Sequence, residues 1–283
     1  MARYGPGFFS VMRRICKNPI AITGLAIVVF YVGVALFAPR LAPHSPYEQN
    51  LSRSFAPISS EHPMGCDEFG RDILSRVIFG ARTSLIIQLF SVFFALIAGV
   101  MLGAAGGYLG GWLDELIMRF MDILLAFPGI LLALAIVAVL GPDLPNLIFA
   151  IGVYSVPQFA RITRGSVITV KQNEYVTAAR AIGESHLAVL MRYVLPNAAS
   201  PIIIQTTLRM ATVLLTAAGL GFLGLGVQPP EPEWGTMLST ARMYLRSAPM
   251  VAVFPGVSIM IVVLGFNFFG DGLQDALNPR LKD

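Results

Sequence analysis

Charge is scarce in this chain. Only 13% of its 283 residues are Asp, Glu, Lys or Arg, against about 25% in a soluble domain. Hydrophobic residues make up 55% and the mean hydropathy is +0.71, which excludes a surface facing water on all sides. Cysteine is nearly absent: Cys16 and Cys66 are expected on opposite sides of a membrane, so no disulfide framework or cysteine metal cluster follows. The three histidines, His44, His62 and His186, lack partners at a spacing that suggests a hydrolytic triad. His62 with Cys66, Asp67 and Glu68 is too irregular a set to be expected to hold a metal. The chain has no GxxxxGK[ST] phosphate loop, and Gly-Lys occurs nowhere. HExxH, GxSxG and SxxK are missing too. No catalysis is expected on this chain, and no cofactor. The net charge of +4 is small and no basic patch is interleaved with aromatics, so nucleic acid is not implied as a partner.

What the chain does have is a series of apolar runs near the roughly 20 residues that cross a bilayer. An all-α polytopic membrane protein with six transmembrane helices is predicted. The spans are about Pro19 to Ala38, Ser84 to Tyr108, Leu116 to Leu140, Leu144 to Ala160, Ala199 to Gly226 and Met250 to Phe269. The first exceeds a signal-peptide core and is read as retained. Residues 1–18 carry Arg3, Arg13, Arg14 and Lys17, and residues 161–198 carry five basic residues. Both segments are therefore expected on the cytoplasmic side, as is the C-terminus with Arg280 and Lys282. Residues 39–82 form an outer loop. In its second half Ile73, Leu74, Val77, Ile78 and Ala81 share a face that suits an interfacial helix. Arg71, Arg76 and Arg82 sit awkwardly on that outer side.

Within the spans, glycines at 99, 103, 107 and 111 repeat as GxxxG, a groove for close helix approach. A cytoplasmic turn with Asp114, Glu115 and Arg119 is expected to follow. Pro128-Gly129 predicts a kink in the third span, and Pro157 lies near the inner end of the fourth. Arg209 falls inside the fifth span, where an arginine costs about 2.5–3.5 kcal/mol on insertion scales. It is a candidate pathway residue; an interhelical or snorkelling structural role is the competing reading. The Gly219-Leu-Gly221-Phe-Leu-Gly224 stretch is a literal GxGxxG, but it closes a membrane helix without strand context and is not a nucleotide motif. Trp234 and Tyr244 of the loop 227–249 are expected at headgroup level.

The least apolar segment of the inner side, Glu174 to Pro196, organises the rest. Glu174 to Ile182 is a helix former with Ala178 and Ala179 side by side. Gly183 suits a left-handed helix end, Ser185 caps the next helix, and Pro196 is expected to stop it. The product is a compact helix–turn–helix suited to fit another protein.

These residues resemble the EAA loop of ATP-binding cassette importer permeases. Ala178, Ala179, Gly183, Leu195 and Pro196 fall in register, while Thr177 replaces the pattern's Glu and Tyr193 its Ile. The Thr177 departure removes any role for a Glu there. The wording from Glu174 and Tyr175 to Arg180 is similar to the dipeptide, oligopeptide and nickel branch, as are the His62–Leu85 run, the FLGLG end of span five and the tail. The resemblance covers about residues 19–283 and is to the C-type permease of the pair. It implies a type I ABC importer permease fold: a cytoplasmic segment 1–18 and a permease domain 19–283, with outer loop 39–82 and coupling loop 161–198. It further implies a translocation pathway shared with a homologous second permease, two cytoplasmic ATPases holding ATP and Mg, and an extracytoplasmic solute-binding protein. The coupling residues are then Glu174, Tyr175, Thr177, Ala178, Ala179, Arg180, Gly183, Glu184, Leu195 and Pro196. The expected cargo is a di- or oligopeptide, with nickel or another small solute as alternative. An ion-gradient carrier is the competing class, but such carriers need ionisable residues within spans and only Arg209 qualifies. An intramembrane enzyme lacks paired catalytic residues.

Overall fold

In lipid, a backbone that is not a closed barrel must pair its own N–H and C=O groups within helices. The computed structural model, which describes residues 8–277, follows that rule. It runs α1 (Phe8–Ile15), α2 (Pro19–Leu36), α3 (Ala38–Leu41), α4 (Ile73–Leu109), α5 (Gly111–Ala126) and α6 (Gly129–Leu140). Then come α7 (Leu144–Lys171), α8 (Glu174–Ala181), α9 (His186–Val189), α10 (Leu195–Phe222), α11 (Trp234–Ala241) and α12 (Met250–Leu277). The readings of Arg3, Arg280 and Lys282 fall outside the described residues.

Among the described residues four helices are long and apolar enough to cross a membrane: α2, α4, the continuous stretch His186–Phe222, and α12. The pair α5–α6, bent by 89° at its break, makes five if it is one broken span. The expected fourth crossing lies in α7, which is 28 residues long but carries Arg161, Arg164 and Lys171 in its inner half. Pro157 is carried inside it.

Several boundaries differ from expectation for physical reasons. α4 begins at Ile73, capped by the Asp72 side chain accepting from Ser75 N at 2.7 Å. The expected interfacial helix is thus the first turns of a 37-residue rod, and its polar side is buried too. Asp67, Arg71, Asp72, Ser75 and Arg76 are all buried. Arg71 Nε donates to Asp67 Oδ2 at 2.6 Å and its Nη2 to Glu68 at 3.1 Å, while Arg76 Nε lies 3.4 Å from Asp67. Two of the three awkward outer arginines are therefore neutralised by partners close in sequence. Burial, then the neighbouring Asp67, pushes the Glu68 carboxyl up, and its Oε2 has no partner among the described residues.

The GxxxG ridge is real at three positions. A Cβ on Gly99 would meet Val156 O at 2.9 Å, one on Gly103 would meet Thr163 Cβ at 2.9 Å, and one on Gly107 would meet Arg164 O at 2.9 Å. All three stand on α4 against α7. Gly111 does not join them, because α4 has already ended: Gly110 and Gly111 turn the chain at φ +71 and +61. Gly103→Leu should therefore wedge these helices apart; overpacking costs about 1–3 kcal/mol or more. The expected result is loss of most folded protein on a detergent size-exclusion trace. Gly33→Ala, at a glycine whose added Cβ would meet open space, is the harmless control.

Asp114, Glu115 and Arg119 lie inside α5 rather than in a turn. Asp114 takes both Arg164 Nε and Nη2 at 2.6 Å, tying α5 to α7. At Pro128 the break is complete, since Phe127 is extended (φ −85, ψ 137), the conformation a residue before proline prefers. Trp234 is buried rather than at headgroup level, and its Nε1 donates to Val77 O at 2.9 Å. Glu233 is fully buried and caps α11 by accepting from Gly235 N and Thr236 N at 2.8 Å each. Cys16 and Cys66 are both free.

Candidate functional site

The inner end of α4 and the segment 174–196 meet in one place. α8 ends as its chemistry dictates: Gly183 takes φ +89, Glu184 N donates to Ala179 O at 3.2 Å and Gly183 N to Arg180 O at 3.0 Å, a Schellman end. Ser185 Oγ accepts from Ala188 N at 3.3 Å and starts α9. Pro196 does not stop this helix. Residues Leu190–Val194 form a π turn, with Leu195 N bonded to Leu190 O, and the helix continues as α10. Pro196 then occupies the first turn of α10, where its missing N–H costs least.

One face of the knuckle is anchored. Val176, Ala179, Val189 and Val194 are buried with Ala104, Tyr108, Val167 and Ala198. Ala179 therefore packs on this chain's own core, while Ala178 beside it is exposed. The outward face is formed by Glu174, Thr177, Ala178, Arg180, Ala181, Ile182 and Gly183. Ile182 is 79% exposed at the tip of the turn. Tyr175 and Leu195 are half-buried in the same cluster, Pro196 is exposed, and Glu184 lies 3.7 Å from Arg192.

Tyr108 is the residue that sequence reasoning passes over. It is buried on the last turn of α4 and clasped by the knuckle. Lys171 Nζ donates to its carbonyl at 2.5 Å, a cation on the free C-terminal carbonyls of a helix. The Arg180 guanidinium sits 5.1 Å from its ring centroid, and its hydroxyl lies 3.4 Å from His186 Nδ1. Nothing local in the sequence marks this pairing, because its partners stand 63 to 78 residues away.

Arg209 stands on α10, 4% exposed, with its guanidinium 5.3 Å from the Tyr154 ring centroid on α7. Its Nε and Nη2 have no hydrogen-bond partner among the described residues. Beside the start of α4, ligating atoms of His44, His62 and Asp72 come within 4.8 Å of one another. They are already engaged: His62 Nδ1 pairs with Asp72 Oδ1 at 2.9 Å, Arg53 Nη1 donates to His62 Nε2 at 2.9 Å, and His44 Nε2 faces Glu61 O at 3.0 Å. This is a hydrogen-bonded brace of the loop that leads into α4, with the Arg53 cation bonded directly to one of the three residues.

Residues 95–283 match the family described as binding-protein-dependent transport system inner membrane component, and residues 8–57 match the N-terminal transmembrane domain of oligopeptide transport permease C. A dipeptide transport system permease protein of Alkalihalophilus pseudofirmus is 50% identical over 95% of this chain and 89% of its own length. A di/tripeptide transport system permease protein of Pseudomonas aeruginosa is 48% identical over 94% and 90%. A glutathione transport system permease protein of Escherichia coli is 46% identical over 95% and 89%. Among solved structures, an inward-facing conformation of the MetNI methionine ABC transporter aligns with a TM-score of 0.60 at 19% identity, covering 73% of this chain and 98% of that one.

Proposed function

Because the chain belongs to the binding-protein-dependent transport system inner membrane components, and so is a membrane-spanning permease subunit of a peptide ABC importer, we propose that its knuckle at residues 174–196 is where a cytoplasmic ATPase docks. The fold is that of a type I ABC importer permease, the protein is multi-pass in the inner membrane, and it works with ATPase and other subunits. The finer assignment is ours. A homologous permease completes the pathway, two ATPases hold ATP and Mg, and an extracytoplasmic binding protein delivers the peptide. Six crossings leave both termini cytoplasmic, with residues 1–18 preceding a permease domain of residues 19–283 in surrounding lipid.

The observation that supports docking is the division of faces on α8. Val176 and Ala179 hold the helix to the permease, and Ile182 is left bare at a rigid tip. Apolar anchors of this kind dominate interface energies, at ~2 kcal/mol or more each. ATPase movement is then carried by α7 and α10, which enter and leave the knuckle, and by α4, whose last turn the knuckle clasps at Tyr108. Ile182→Asp should weaken ATPase co-purification about 30-fold, the equivalent of ~2 kcal/mol, and abolish ATP-dependent uptake in proteoliposomes. Ile182→Leu should preserve both. Full co-purification of the aspartate variant would remove the docking role.

A further inference from the structure

The unpartnered cation at Arg209 calls for a ligand. α10 carries a polar stripe through an apolar bilayer: Gln205, Arg209, Thr212 and Thr216 recur at three- and four-residue steps and so share one face. Except for Arg209, each is only half-buried. Thr212 and Thr216 spend their hydroxyl protons on the carbonyls of Leu208 and Thr212, at 3.3 and 2.9 Å, which leaves oxygen lone pairs outward. Where the C-terminal half of α7 faces the first turns of α10 lies a cleft of about 520 Å³, its polar lining Arg161, Ser166, Thr169 and Asn197.

The two free donors of Arg209, Nε and Nη2, lie along one edge of the guanidinium. That edge presents two parallel N–H groups and matches the two oxygens of a carboxylate. Tyr154 meets the cation through its ring. The two α5 aspartates are already used, Asp114 by Arg164 and Asp122 by Arg161. We propose that Arg209 is a carboxylate receptor in the translocation path, and that its ligand is the C-terminal carboxylate of the peptide in transit. Tyr154 is the gate to it: its ring packs so closely on Gly129, the first residue after the break in α5–α6, that an added Cβ there would overlap it. Movement of α6 frees the ring and opens the edge of the cation.

This inference rests on the peptide-importer assignment. The test uses the complete importer, with both permeases, ATPases and binding protein, in proteoliposomes supplied with tritiated alanylalanine and ATP. Arg209→Gln should lower uptake at least tenfold and Arg209→Lys less, with the yield of assembled complex unchanged. A benzophenone amino acid at Thr212, photolysed during turnover, should label the peptide on its C-terminal residue. Labelling of the N-terminal residue, or of an acidic segment of the second permease in place of the peptide, overturns the proposal. So does an Arg209→Gln variant that transports normally. No ATP-dependent uptake by the wild type would instead sink the transport assignment beneath it.

Discussion

Asp67→Ala should lower the melting temperature of the detergent-solubilised protein by on the order of 10 °C. Asp67 is the hub of the loop between α3 and α4. Its Oδ1 accepts from Phe69 N and Arg71 N at 2.9 Å each, and its Oδ2 faces Arg71 Nε at 2.6 Å and Arg76 Nε at 3.4 Å. All three side chains are at least nine-tenths buried. Removing one member of a buried ion pair costs about 3–5 kcal/mol, because the partner charge stays desolvated; here two guanidinium groups each lose a carboxylate partner. Glu68 keeps its contact with Arg71 Nη2 at 3.1 Å, so Arg76 bears the larger part of the loss. Arg76 also donates to Pro46 O and Pro230 O at 3.0 and 3.3 Å, so the damage reaches both the loop before α4 and the loop before α11. Asp67→Asn keeps an acceptor for the two amide groups and should fall between. Limited proteolysis should cut residues 39–72 faster in the alanine variant. A melting temperature indistinguishable from wild type, with the loop still protected, would show that the network contributes little.

Tyr108→Ala should uncouple the importer, cutting peptide uptake at least tenfold while ATP hydrolysis by the assembled complex persists. The side chain is buried where α4 ends, and Arg180 and His186 of the knuckle close on it. Truncating a buried aromatic to alanine costs about 3–5 kcal/mol, and the cavity opens at the joint between rod and knuckle. α4 still inserts, since its apolar length is untouched. The knuckle still shows Ile182 to a partner, but its motion no longer reaches α4. Tyr108→Phe should stay within about twofold of wild type: the ring and its cation contact remain, and the lost hydroxyl contact is a long one at 3.4 Å. Parallel loss of uptake and hydrolysis in the alanine variant would mean that the ring merely holds the complex together.

How much of this is legible in the sequence depends on the range of the interaction. The end of α8 at Gly183, the Ser185 cap and the break before Pro128 follow from a few adjacent residues, and the structure has each of them. The glycine ridge is legible at 99, 103 and 107, where the helix persists, and misleading at 111, where it does not. Pro196 misleads because the π turn at Leu190–Val194 places it in the first turn of α10, where a proline continues the helix instead of stopping it. Trp234 belongs at the interface by residue type and is instead held inside by Val77.

The sequence by itself determined that this chain lives in a bilayer, that it is helical, that it holds no nucleotide motif, and that one polar knuckle interrupts it. Those properties come from hydropathy and local turn chemistry, which act within one or two helical turns. Only the tertiary structure decided that Ala179 is anchored and Ile182 bare, that Tyr108 is clasped, that Arg71 and Arg76 are paired, and that Arg209 is buried with two donors free. Burial and hydrogen bonding between helices depend on side chains brought together from tens of residues apart, and no local pattern in the chain encodes those distances.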